Sequence, residues 1–112
     1  MDGLTGTALL KRGLSEIGID ASWHLPCRFG VGSGYGLSTV IVDWMLSENV
    51  QHLLTVDTGI TAVAEIEYAK SKGMNVMVID HHEPSGDGLP ASDVLLDPCQ
   101  DDCPYPNKAL CG

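Results

Sequence analysis

The chain has 112 residues, the size of one small domain with one modest core. Apolar residues make up 44% and charged residues 19%, as in ordinary globular proteins. Six Lys and Arg against fifteen Asp and Glu give a net charge of −9. That excludes a nucleic-acid module gripping phosphates through a basic surface, but leaves room for acidic sites that bind cations, which in turn bind phosphate. No apolar run approaches the roughly 18 residues of a membrane span, and Met1-Asp2-Gly3 leads into helix-like sequence without a signal core. The cysteines (Cys27, Cys99, Cys103, Cys111) are too scattered for a disulfide scaffold, so the expectation is a reduced, cytoplasmic chain.

Leu10, Leu14 and Ile17 recur at helical spacing with Gly18 placed to stop the helix, which predicts a helix over 5–17. A short strand over 21–25 follows, closed by Pro26. Residues 26–36 read as loop because glycine recurs throughout them. Ser38 suits an N-cap, and Leu37, Val40, Ile41, Trp44 and Met45 share one face, predicting a helix over 38–48. The apolar run ending in Asp57 reads as a buried parallel strand over 53–57. Thr61 is placed to cap a third helix running to about Lys72, with Gly73 beyond its end. Strands over 76–80 and 94–97 follow, each again ending in Asp, and loop follows from Pro98. Strand–helix alternation with short, right-handed crossovers predicts an α/β fold with a mainly parallel sheet and flanking helices.

In such a sheet, ligands bind outside the carboxyl ends of the strands, so Asp57 and Asp80 can meet in one crevice. His81 and His82 follow directly. Carboxylate and imidazole suit Mn2+, Mg2+ or Fe2+. In an extended segment the two histidines point to opposite faces, which predicts that one ligates metal and the other faces substrate or supports it. A polar loop after a strand would produce the same triplet, and the coincidence of two strand ends favours metal. At the N-terminus, Asp2-Gly3-Leu4-Thr5-Gly6-Thr7 reads as a turn entering a helix, either a plain cap or a place for an anion or metal-bound phosphate. Arg28 is either a surface arginine or a bidentate phosphate contact.

Val56-Asp57-Thr58-Gly59-Ile60-Thr61 and Ile79-Asp80-His81-His82-Glu83-Pro84 resemble the paired signatures of the DHH phosphoesterase superfamily. Asp2-Gly3-Leu4-Thr5-Gly6-Thr7-Ala8 resembles the end of its first, aspartate-alternating motif. Leu25-Pro26-Cys27-Arg28-Phe29 with Gly34-Tyr35-Gly36-Leu37 resembles a loop of the RecJ branch. Leu89-Pro90, Cys103-Pro104-Tyr105-Pro106 and Lys108-Ala109-Leu110-Cys111-Gly112 resemble the later part of the same region. The resemblance covers essentially the whole chain, with the motifs in order.

The resemblance implies a metal-dependent exonuclease that hydrolyses single-stranded DNA 5′ to 3′ in repair and recombination, with Mn2+ or Mg2+ as cofactor. It implies Asp57 as a carboxylate shared between two metals, His81 as a ligand and Asp2 as a further ligand. It implies His82 near the scissile phosphate, Asp80 orienting the pair, and Arg28 on phosphate. Two cations about 4 Å apart stabilise the attacking and leaving oxygens, so no Ser or Cys nucleophile is needed. Single-stranded DNA is the implied partner of the complete protein, with single-strand-binding or repair proteins besides and no membrane. Against the family pattern, residues 1–112 look like part of a DHH domain. They lack the first strand and start of the first motif, the later aspartate ligand and the DHHA1-type domain, and the expectation is a fragment that cleaves little alone. Ser33 stands where an acidic residue is frequent, the loop is about two residues longer than usual, and Thr58 replaces Asn or Cys. Two other readings remain: a DHH enzyme for oligoribonucleotides, cyclic dinucleotides or pyrophosphate, and a non-catalytic replication or repair interaction module.

Overall fold

The computed structural model describes residues 1–26 and 36–111. The elements in chain order are α1 (Asp2–Glu16), α2 (Thr39–Ser47), β1 (His52–Val56), α3 (Val63–Ser71), β2 (Asn75–Ile79) and β3 (Val94–Leu96). The strands form one parallel sheet in the order β1-β2-β3. Val56 pairs with Ile79 and Ile79 with Leu96, so all three strands finish at one level. The ladder runs one step further: the Asp57 amide donates to the Ile79 carbonyl and the Asp80 amide to the Leu96 carbonyl, each at 2.9 Å. Asp57, Asp80 and Asp97 therefore stand in a row along the carboxyl edge.

The core lies on one face of this sheet. Leu53, Val76 and Val78 pack with Val42 of α2, Ile66 and Ala69 of α3, and Met74. Burial alternates along β1 and β2, with Leu53, Thr55, Val76 and Val78 inside and Met77 exposed. The strands were expected to be buried on both faces. Among the described residues the helices α2 and α3 cover one face only, and period-two alternation follows from that.

Ser38 caps α2 as expected, its hydroxyl accepting from the Ile41 amide. Thr61 does not cap α3. Ala62 occupies that position without a side-chain cap, and the chain enters the helix through a turn in which the Ala62 amide donates to the Gly59 carbonyl. Gly18, Asn49 and Gly73 follow the three helices with φ of 82°, 59° and 87°. In each case the next residue's amide reaches back to the helix (Ile19 to Leu14, Val50 to Met45, Met74 to Ala69), the pattern of a left-handed helix stop. Helix α1 begins at Asp2 rather than Thr5, with Asp2 in its first turn beside the positive end of the helix dipole. It buries no residue. The strand expected over 21–25 is absent. Those residues have no ladder partner among the described residues, and a strand without a neighbour leaves its backbone groups unpaired. Instead, His24 stacks against Trp44 of α2 at 5.0 Å between ring centres. Among the described residues no helix is long and apolar enough to cross a membrane.

Candidate metal centre

Donor atoms of Asp57, Asp80, His81 and His82 all lie within 4.8 Å of one another, at the carboxyl ends of β1 and β2. Asp57 takes the left-handed backbone conformation, with φ 60°. Aspartate is among the few residues that tolerate this, and it turns the side chain off the strand axis. Asp57 Oδ1 lies 2.8 Å from His81 Nε2, while Oδ2 accepts from the Gly3 amide at 2.9 Å. The helix N-terminus that the sequence offered to an anion thus holds one of the protein's own carboxylates.

Asp80 is 3% exposed and its oxygens are fully engaged. Oδ2 accepts from the Ile60 amide at 2.9 Å. Oδ1 accepts from the His81 amide at 2.8 Å, the His82 amide at 3.3 Å and His82 Nδ1 at 2.6 Å. Burial alone would raise the Asp80 carboxyl, but the Ile60 amide, the His82 ring and the His81 amide together outweigh it and hold the group below the usual carboxylate range. The hydrogen bond that its ring donates to Asp80 raises the His82 imidazole in return. Because a carboxylate can only accept, His82 Nδ1 carries the proton, on a side chain 55% exposed, and this bond leaves Nε2 unused.

The two histidines were expected on opposite faces. They instead lie side by side, ring centres 4.4 Å apart and tilted by 48°, because residues 81 and 82 lie outside β2 and strand alternation does not extend to them. They differ in partner: His81 is bonded to Asp57 and His82 to Asp80.

Asp97, at the end of β3, is 4% exposed. Its Oδ1 accepts from the Cys99 amide at 2.7 Å, and Oδ2 has no partner among the described residues. Burial, helped by the nearby Asp80 charge, raises its carboxyl. The Cys99 thiol points to the His81 carbonyl oxygen at 3.2 Å, and burial raises it too, so it stays a thiol. The donors that converge are thus carboxylate oxygen and imidazole nitrogen, which fit Mn2+ or Mg2+ better than a thiophilic ion.

Asp2 lies outside the four-residue group; its neighbour Gly3 touches the site through its amide. Arg28 lies outside the described residues, as do Ser33 and Tyr35. Gly36 stands against Thr58: a Cβ there would come within 2.6 Å of Thr58 Oγ1, directly beside Asp57. The Gly3 and Ile60 amides, both important to the geometry, were not foreseen, since a backbone donor has no side-chain signature.

Over residues 1–112 the chain matches the model of the DHH family, N-terminal domain, and it belongs to that family. Within the family it is similar to RecJ. It is 42% identical over 112 residues to the single-stranded-DNA-specific exonuclease RecJ of Salmonella typhimurium, covering 99% of this chain and 19% of that protein. Against RecJ of Bacillus subtilis it is 36% identical over 111 residues, covering 99% of this chain and 14% of the relative. The crystal structure of exonuclease RecJ bound to manganese superposes with a TM-score of 0.77 at 40% identity, covering 90% of this chain and 25% of that one. That of RecJ in complex with Mn2+ from Thermus thermophilus gives 0.70 at 35% identity, covering 93% and 14%. The chain thus spans 19% or less of the length of these curated relatives.

Proposed function

We propose that this chain forms part of the catalytic domain of a RecJ-like exonuclease that hydrolyses single-stranded DNA from the 5′ end with Mn2+ or Mg2+, in DNA repair and recombination in the cytoplasm. The observation that carries this reading is the convergence of Asp57, Asp80, His81 and His82 at two adjacent strand ends. Asp57 and His81 are the ligands, with Asp2 a further candidate. Asp80, whose oxygens are already engaged, is a positioning residue that fixes the His82 ring and the 81–82 backbone. His82 presents Nε2 to the scissile phosphate, and Arg28 contacts phosphate. A bound divalent cation supplies Lewis-acid stabilisation of phosphoryl oxygens and a lowered pKa for water. The protein's share is to fix the donors and hold the His82 proton at Nδ1. Single-strand-binding or repair proteins are further partners under this reading.

The test is calorimetry with Mn2+ on the 112-residue chain, together with a 5′-labelled single strand. Weak Mn2+ binding that is lost in His81→Ala, with little or no cleavage by the chain alone, is expected. Absence of Mn2+ binding overturns the metal assignment. Robust cleavage abolished by His81→Ala overturns the view that these residues are only part of the active unit. Faster turnover of dinucleotides than of long single strands would favour the oligoribonucleotide branch.

A further inference from the structure

We propose that Gly3 is a positioning residue for the cation site. Its amide and its missing side chain together select which Asp57 oxygen faces His81 and the metal. This inference rests on the assignment of Asp57 as a ligand.

Three observations carry it. Asp57 Oδ2 accepts from the Gly3 amide at 2.9 Å, across 54 positions of sequence, and Oδ1 is left facing His81 Nε2 at 2.8 Å. One oxygen is tied down, and the other is directed. Second, the approach leaves no slack. A Cβ on Gly3 would stand 3.3 Å from both Asp57 Cβ and Asp57 Oδ2, and 3.5 Å from the Val56 carbonyl oxygen. Third, Asp57 sits at φ 60°, a conformation that aspartate tolerates but most residues avoid, and its ends are held in place. The Asp57 amide is fixed by Ile79 on one side, and the carboxylate by Gly3 on the other.

The bond joins two dipoles of suitable sign. Gly3 lies in the first turn of α1, where amides have no acceptor within the helix and carry the positive end of its dipole. A plain helix cap would draw the same bond, with Asp57 serving α1. The two roles part at the metal. If Asp57 merely caps α1, perturbing Gly3 alters helix stability and leaves cation affinity alone. If Gly3 positions Asp57, affinity falls although the helix is retained. Alanine separates them well because it is the better helix former, so Gly3→Ala does not weaken α1 through propensity.

The experiment compares Mn2+ affinity, by calorimetry or electron paramagnetic resonance, for the unaltered chain, Gly3→Ala, Gly13→Ala and Asp57→Asn. Helix content is followed by circular dichroism. Gly13 lies in the same helix with nothing within 4 Å of an added Cβ, so it is the control for alanine itself. Gly3→Ala is expected to bind Mn2+ about tenfold more weakly with helix content kept, the size typical of disturbing a group that orients a ligand. Gly13→Ala is expected to bind as the unaltered chain does. In a second readout, the Gly3 amide proton should exchange slowly with solvent for a first-turn amide, because Asp57 holds it. Unchanged Mn2+ affinity in Gly3→Ala overturns the inference, as does free exchange of that amide, while loss of binding in Asp57→Asn keeps the ligand assignment standing. Unchanged affinity in Asp57→Asn, or no Mn2+ binding by the unaltered chain, overturns the ligand assignment and the inference with it.

Discussion

Replacing Asp80 by Asn tests how much of the site's architecture hangs on one buried carboxylate. The change is nearly isosteric but turns one acceptor oxygen into a donor. If the amide oxygen stays with the His81 and His82 donors, the new NH2 group faces the Ile60 amide, now donor against donor at a fully buried residue. An orphaned buried amide costs about 1–3 kcal/mol. Loss of the charge on the His82 bond adds under about 1 kcal/mol, since that ring is largely in water. The expected loss is therefore about 1–4 kcal/mol. At about 4 °C per kcal/mol for a domain of this size, the middle of that range is a fall of about 10 °C in Tm. The pH profile supplies a second signature. Because Asp80 is held below its ordinary value, its stabilisation is complete above about pH 3.9 and is lost as pH falls through the depressed folded value. Because His82 is raised, its stabilisation is complete below about pH 6.5 and is lost as pH rises through the folded value. Wild-type stability should thus carry a plateau between about pH 4 and 6.5 from this pair, and Asp80→Asn should flatten both limbs. Urea melts across pH and an NMR titration of His82 read this out. A loss under about 0.5 kcal/mol, well below the cost of an orphaned amide, with an unshifted His82 titration would refute the reasoning.

The remaining predictions use neighbouring positions. Asp97→Asn removes a buried charge while keeping an oxygen for the Cys99 amide, and its NH2, which inherits the unpartnered place of Oδ2 among the described residues, takes back part of that gain, so the net stabilisation at pH 7 should be under about 1 kcal/mol. The gain should shrink towards pH 4, because the raised Asp97 carboxyl favours the folded state only while protonated; thermal melts at both pH values check it. Gly59→Ala would place a Cβ 2.6 Å from Thr55 Oγ1 and 3.1 Å from Val78 Cγ1 at φ 117°, and should cost at least about 2 kcal/mol by urea midpoint. Gly86→Ala, with open space around it, is the comparison. Mn2+ at a hundredfold excess over its Kd should stabilise the chain by about 2.7 kcal/mol, reversed by chelation and absent in His81→Ala.

Most of the architecture was legible because apolar runs ending in Asp are strong local signals, and α2, β1, β2 and β3 fall within a residue or two of expectation. The segment 21–25 was misread for a physical reason. Its strand-like composition reflects a preference that is realised only against a neighbouring strand, and none is present among the described residues. The site divides in the same way. Asp57, Asp80, His81 and His82 could be named from the sequence because parallel strands deliver their ends to one edge. The side-by-side histidines and the donors from Gly3 and Ile60 could not, since they depend on backbone turns after the strands: φ 60° at Asp57 and 117° at Gly59. Those turns aim an amide and a carboxylate that composition treats as featureless.

The net charge of −9 fits this geometry in a specific way. A polyanionic substrate approaching an acidic chain meets repulsion unless the charge at the point of contact is reversed locally. Asp57 lies at the contact edge, engaged by one histidine and one helix N-terminus, and Asp80 lies beneath it with its charge already matched by amides and the His82 ring. Asp80 therefore presents little uncompensated charge, and Asp57 is the carboxylate left to meet a cation together with His81. On this reading the metal does two jobs that one site makes inseparable: it supplies Lewis acidity and it makes the strand edge tolerable to phosphate. Any affinity of this chain for single-stranded DNA should then depend on Mn2+ far more steeply than on monovalent salt. A chain that gripped DNA through lysine and arginine would show the reverse, its binding constant falling steeply with salt as counterions are released. Gel-shift measurements across Mn2+ and NaCl separate the two, and a steep salt slope without metal would contradict the argument.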